Sequence, residues 1–176
     1  VLTANVNGIR SAHRKGFFAW LQDQNADFIC LQETKAQLAT LSQDISHVEG
    51  YHLVYSDAVK KGYSGVCIYS KRPPCSVCHT LGETIFDTEG RFVEARFEHL
   101  SVVSLYLPSG TSGPERQAIK MRLLDYFYQG FLTEAIAGTR EVIICGDWNI
   151  AHTQKDLKNW QQNQKNSGFL PEERAW

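Results

Sequence analysis

Arg91-Phe92-Val93-Glu94-Ala95-Arg96-Phe97-Glu98-His99-Leu100-Ser101-Val102-Val103-Ser104-Leu105-Tyr106 reads as two apolar runs of strand length meeting at the polar pair Glu98-His99. Its β-branched and aromatic content predicts an antiparallel hairpin, with strands over Arg91–Phe97 and Ser101–Tyr106. Such a hairpin argues against a purely parallel, doubly wound sheet. On its N-terminal side, similar runs predict strands at Val1–Val6, Asp27–Gln32, Tyr51–Tyr55, Ser64–Ser70 and Cys75–Thr80; on its C-terminal side lies Glu141–Cys145. Helical periodicity is rarer. Lys15–Asp23 puts Phe17, Phe18, Trp20 and Leu21 on one face, and Pro114–Ala135 spaces Ile119, Leu123, Phe127 and Phe131 four apart. Pro114 suits a first helical turn and Gly138 a stop. The expected class is α+β: two packed, mixed β-sheets flanked by helices.

The chain has 176 residues, 43% hydrophobic, which suits one globular domain with a substantial core. With 18 basic and 19 acidic residues the net charge is −1, so any nucleic-acid contact needs a locally basic face. Apolar runs such as Val142–Cys145 fall far short of the roughly 18 to 20 residues of a membrane span. No basic segment followed by an apolar stretch opens the chain, so it reads as soluble and unexported.

Of five cysteines, Cys30, Cys67 and Cys145 sit in apolar runs and read as reduced core thiols. Cys75-Ser76-Val77-Cys78-His79 matches the pattern for covalent haem attachment. That chemistry needs export and a second axial ligand, and Met121 is the only methionine. The simpler expectation is a short strand after the Arg72-Pro73-Pro74 turn, with a redox pair as a further alternative.

Carboxylates and carboxamides recur directly after the apolar strands: Asn5 and Asn7 after the first, Glu33 after the second, Asp147 and Asn149 after the last. Strand ends carry such groups to the rim of a sheet, where oxygen ligands converging from several strands suit a hard cation such as Mg²⁺. Taken singly, Asn7-Gly8 is an ordinary turn dipeptide.

Six segments occur in order: Asn5-Val6-Asn7-Gly8-Ile9-Arg10, Leu31-Gln32-Glu33-Thr34-Lys35, Gly62-Tyr63-Ser64-Gly65-Val66, Glu89-Gly90-Arg91, Tyr106-Leu107-Pro108 and Gly146-Asp147-Trp148-Asn149-Ile150-Ala151-His152. With Asp156-Leu157, Asn163 and Asn166-Ser167-Gly168-Phe169, this series resembles the exonuclease III and apurinic/apyrimidinic endonuclease family, within the endonuclease/exonuclease/phosphatase superfamily. The resemblance implies a four-layer α/β sandwich with its site at one edge of the two sheets. It implies a hydrolase dependent on Mg²⁺ or Mn²⁺, cleaving DNA at abasic sites, with 3′–5′ exonuclease or 3′-phosphatase activity.

The roles it implies are specific. Glu33 is the principal metal carboxylate with Asn7 beside it, and Asp147 and Asn149 complete the metal and phosphate site. Asp147 orients and deprotonates the attacking water, Asn149 hydrogen-bonds a phosphoryl oxygen, and Tyr106 offers its phenol to the phosphate. Asn5 and His152 support these groups from behind. Gly62, Tyr63, Arg91, Asn163 and Asn166 match DNA-contacting or site-supporting positions. Arg10, Arg14, Lys15, Lys60, Lys61, Lys155, Lys158 and Lys165 are further basic residues whose simpler reading is solvated surface. His13, His47, His52, His79 and His99 have no spaced partner and read as surface or core. Ser109 departs from the Asn that several relatives carry after the Tyr-x-Pro segment.

The same resemblance expects a catalytic His, its paired Asp and a further Asp from a segment beyond Trp176. Residues 1–176 therefore read as a single domain cut at both ends, with the sandwich incomplete at its C-terminus. The expected partner is double-stranded DNA carrying abasic sites or blocked 3′ ends, with no membrane, and a monomeric protein. Its compartment would be the cytoplasm and nucleoid in a bacterium, or the nucleus in a eukaryote. Two alternatives stand beside this: a non-catalytic DNA- or partner-binding fragment, and a related lipid or inositol phosphatase.

Overall fold

The computed structural model describes residues 1–176. In chain order the elements are β1 (Leu2–Asn5), α1 (Ile9–Arg14), α2 (Phe17–Asp23), β2 (Phe28–Gln32), α3 (Gln43–Ser46), β3 (His52–Ser56), β4 (Val66–Ser70), β5 (Ser76–Cys78), α4 (Thr84–Thr88), β6 (Phe92–Arg96) and β7 (Leu100–Tyr106). Then follow α5 (Pro114–Phe127), a π-helical turn over Tyr128–Leu132, α6 (Thr133–Ala137), β8 (Glu141–Asp147), α7 (Trp160–Asn163) and α8 (Pro171–Ala175). All eight strands fall within a few residues of the sequence expectation.

Two four-stranded sheets form, ordered β1-β2-β4-β3 and β5-β6-β7-β8. Both are mixed. β1 runs parallel to β2 and β7 parallel to β8, while β6 and β7 pair antiparallel as the hairpin predicts. The period-two alternation of each strand sorts its side chains between layers. Phe28, Cys30, Val66 and Ile68 point inward to meet Val93, Ala95, Phe97 and Val102 between the sheets. Ile29, Leu31, Cys67 and Tyr69 face outward against Ile9, Phe18, Leu21 and Ile45 from α1, α2 and α3. On the far side, Phe92, Val103 and Leu105 pack against Phe86, Leu123, Leu124 and Phe127 from α4 and α5. Helix, sheet, sheet and helix thus form the four layers.

Several local expectations need correction. Trp20 is 49% exposed: α2 buries Phe18 and Leu21, and Trp20 rests on Phe17 at its margin. The long helix divides at the π-helical turn, which keeps the rings of Phe127 and Phe131 stacked with centroids 5.2 Å apart. Gly138 does end the helix as expected, in an extended conformation. The cysteine pair lies along the edge strand β5, where Cys75 N donates to Arg96 O. An extended backbone advances about 3.3 Å per residue, so Cα atoms three apart are about 10 Å distant, beyond the roughly 7 Å limit of a disulfide. Their side chains also leave opposite faces, which removes the haem-attachment and redox-pair readings; both thiols are free. No helix is long and apolar enough to cross a membrane.

Candidate active site

The two parallel pairs deliver their C-terminal ends to a common rim. Asn5 pairs with Gln32 at the last rung of one sheet, and Tyr106 with Asp147 at the last rung of the other. Beyond those rungs the backbone remains tied: Val6 N donates to Gln32 O, Gly8 N to Glu33 O and Ile9 N to Thr34 O, while Leu107 N donates to Asp147 O. Asn7, Glu33, Lys35, Ser64 and Asn149 all adopt positive φ values between 43° and 55° here. Left-handed backbone is costly for residues other than glycine, and its concentration at one rim marks a place whose geometry the fold over-determines.

The motif glycines serve the same end. A Cβ at residue 65 would lie 2.2 Å from Thr34 Oγ1, and one at residue 90 would lie 2.5 Å from the carbonyl carbon of Asp57. Only glycine lets those loops approach so closely.

Asn5 Nδ2 donates to Glu33 Oε1 and to Asp147 Oδ2, each at 2.7 Å, while Asn5 Oδ1 accepts from Asn7 N at 3.0 Å. One carboxamide thereby joins the carboxylates of both sheets. Lys35 Nζ lies 2.6 Å from Glu33 Oε2 and donates also to Asn7 Oδ1. An ammonium group occupies the space between the carboxylate and the carboxamide oxygen, where the resemblance sets a divalent ion. Burial pushes the Glu33 carboxyl pKa up, but hydrogen bonds from Lys35, Asn5 and Tyr106 outweigh it and hold the group below its ordinary value. Tyr106 moves the other way: burial, then the Glu33 charge beside it, drive its phenol well above the usual range. Asn149 N donates to Asp147 Oδ1 at 2.9 Å, and Asn149 Nδ2 donates to Leu107 O at 2.7 Å. One N–H of that carboxamide remains for a ligand.

A second cluster backs Tyr106. Arg91 is only 2% exposed, with its guanidinium over the Tyr106 ring at 4.7 Å and over the Tyr63 ring at 5.6 Å. It donates to Glu89 Oε2, Tyr106 O and the Tyr63 hydroxyl, and Arg116 donates to the same hydroxyl and the same carboxylate. Arg91 therefore sits beneath the rim as a support. Gly62 is exposed beside it. Asn166 Nδ2 donates to Asn163 Oδ1 at 3.0 Å, so those two form one unit at the C-terminal end of α7. His152 is exposed; its carbonyl accepts from Arg174 Nε. Arg116 escaped the sequence reading, and Glu89 and Lys35 entered it only as parts of motifs. The one signal for Lys35 was its position two residues beyond Glu33.

Comparisons with known proteins agree with this architecture. A profile described as the Endonuclease/Exonuclease/phosphatase family matches residues 2–176. An exodeoxyribonuclease of Bacillus subtilis (strain 168) is 38% identical over 99% of the chain and 68% of its own length. A DNA-(apurinic or apyrimidinic site) endonuclease of Dictyostelium discoideum is 34% identical over 99% of the chain and 48% of its own length. The solved structure of an AP endonuclease from Archaeoglobus fulgidus superposes with a TM-score of 0.85 at 28% identity, covering 99% of this chain and 68% of that one. The chain thus spans about half to two thirds of the length of these relatives. The activities named for them are hydrolytic.

Proposed function

Because the chain belongs to the endonuclease/exonuclease/phosphatase family, we propose that its rim is the metal- and phosphate-binding part of a phosphodiesterase that cleaves DNA at abasic sites and 3′ ends. The observation that carries this reading is the convergence on Asn5: one amide nitrogen reaches both Glu33 and Asp147. Separate sheets have no folding reason to bring two carboxylates together at an open edge. The Lys35 ammonium between Glu33 and Asn7 indicates that the donor set accepts a cation. Carboxylate and carboxamide oxygens suit a hard one, Mg²⁺ or Mn²⁺, held by Glu33 and Asn7 with Asp147 and Asn149 nearby. Bound there, it supplies charge neutralisation at the phosphate and at the leaving oxygen.

The protein's own groups account for the rest. Asp147, held through Oδ2 by Asn5 and through Oδ1 by the Asn149 amide, aligns the attacking water and accepts its proton. Asn149 presents its remaining side-chain N–H to a phosphoryl oxygen as charge grows there. Tyr106 keeps its proton across neutral pH and, on turning its single O–H from Glu33, offers it to the phosphate. Tyr63 and Gly62, with Asn163 and Asn166, form the DNA-facing surface, and Arg91 fixes the Tyr63 and Tyr106 rings from below. An abasic nucleotide has no base to hold it in the stack and enters such a site more readily than an intact one.

The test is incision of an abasic duplex by the full-length gene product in Mg²⁺. Glu33→Gln and Asp147→Asn are each expected to lower the rate by about a hundredfold or more, and chelation by EDTA to abolish it. Undiminished cleavage by either variant removes the assignment.

A further inference from the structure

Helices α5 and α8 meet at an ion pair that solvent does not reach. The side chains of Lys120 and Glu173 are both 0% exposed, with Nζ 2.6 Å from Oε1. Burying two charges is costly, and apolar side chains of similar volume often stabilise a fold as well or better. The reason for such a pair lies in what it holds.

Glu173 gathers several segments. Oε1 also accepts from Gln117 Nε2 at 2.9 Å, and Oε2 accepts from the backbone N–H groups of Gly168 and Leu170 at 2.7 and 3.1 Å. Lys120 extends the network in one direction only, donating a second hydrogen bond to Asn149 O at 2.7 Å. Asn149 is the left-handed residue, φ 50°, whose N–H holds Asp147 Oδ1. The Gly168 segment closes on the same loop: Gly168 O accepts from Ala151 N, and a Cβ at residue 168 would come 3.2 Å from Asn149 O. The ammonium thus grips the Asp147–Asn149 turn from its buried side.

We infer that Lys120 and Glu173 are positioning residues: the pair fixes the Asn149 carbonyl, holds the left-handed turn in one conformation, and so aims the Asp147 carboxylate and the Asn149 carboxamide. This rests on the phosphodiesterase reading of the rim. The pair touches neither substrate nor cation. Its effect reaches the reaction through two bonds of the Asn149 backbone.

The discriminating variant is the double replacement Lys120→Met with Glu173→Leu, which leaves no lone buried charge. In the full-length gene product it is expected to melt near the wild-type temperature. On an abasic duplex, kcat is expected to fall by about ten- to a hundredfold with KM unchanged. Exchange of the Asn149 amide with solvent deuterium should speed up at least about tenfold while that of Val103, at the middle of β7, stays as it was. Lys120→Gln with Glu173→Gln, which keeps polar side chains of similar length and again leaves no lone buried charge, should give the same split to a smaller degree and serves if the first double variant does not fold. Unchanged kcat and unchanged Asn149 exchange in a folded variant overturn the inference. So does acceleration spread evenly to Val103, which denotes general loosening. A wild-type protein inert on abasic DNA sinks the phosphodiesterase reading instead, and the Asn149 exchange still decides whether the pair holds the turn.

Discussion

Glu33 and Asp147 accept hydrogen bonds from the same nitrogen, Asn5 Nδ2, so their nearest carboxylate oxygens are no more than twice 2.7 Å apart. Two negative groups brought this close at an open rim repel one another unless something between them is positive or donates hydrogen bonds. Asn5→Ala removes the shared donor and leaves the sheets intact. It is expected to reduce abasic-site incision by about ten- to a hundredfold, with a melting temperature within a few degrees of wild type. Full activity in that variant would show that the bridge does not organise the site.

Lys35 leads to a prediction of opposite sign. Its ammonium holds the Glu33 and Asn7 oxygens, so a divalent ion using them must move it aside. Lys35→Ala should therefore bind Mg²⁺ more tightly, by roughly three- to tenfold if the competing charge is worth about 1 kcal/mol. Isothermal titration gives the constant directly, with Glu33→Gln as the reference that should lose binding. Weaker Mg²⁺ binding by Lys35→Ala contradicts the stand-in role.

Much of this was legible in the sequence, and for a definite reason. Each strand buries alternate residues against different layers, so apolar runs had to appear wherever a strand lies. The rim residues were visible because strand ends place polar groups at fixed offsets, as Asn5, Glu33 and Asp147 show. The short helices were not. α1 buries only Ile9 and Ala12, α3 only Ile45 and α4 only Phe86, too few apolar positions to mark a helical period. Trp20 misled because an aromatic at the margin of a helix face has the same spacing as one inside it. Charged residues were hardest: Arg91, Lys120 and Glu173 are default surface residues by type, and only the assembled fold reveals that they are buried and paired.

Glu89 makes stability depend on pH. Burial raises its carboxyl pKa, but the hydrogen bond from Arg116 and the charge of Arg91 bring it net below the ordinary 4.5. A folded-state value below the unfolded one means stabilisation that is present above the unfolded pKa and lost as pH falls through the folded one. Glu89→Gln should thus be less stable than wild type near neutral pH, by about 1–2 kcal/mol for a partly solvated pair. The gap should narrow below roughly pH 4. Urea melts at the two pH values measure it, and a gap that does not change with pH speaks against it.

The thiols should react in an order set by the fold. Cys75 is exposed and is expected to alkylate first. Cys145 should follow, being half-buried and drawn down to about 7 by its hydrogen bond with Cys30, against the upward push of burial. Cys30 and Cys67 should label only after denaturation. Mass spectrometry after timed iodoacetamide treatment reads the order, and a Cys75–Cys78 disulfide in the native protein would refute the extended strand.

The central claim concerns where a cation and a phosphate would meet, and anomalous diffraction from crystals soaked in Mn²⁺ tests it most directly. The expected result is one strong peak about 2.1 Å from Glu33 with Asn7 as its neighbour, and the Lys35 ammonium displaced from between them. A peak bound elsewhere, or Glu33 and Asn7 still joined through Lys35 at saturating Mn²⁺, would contradict it.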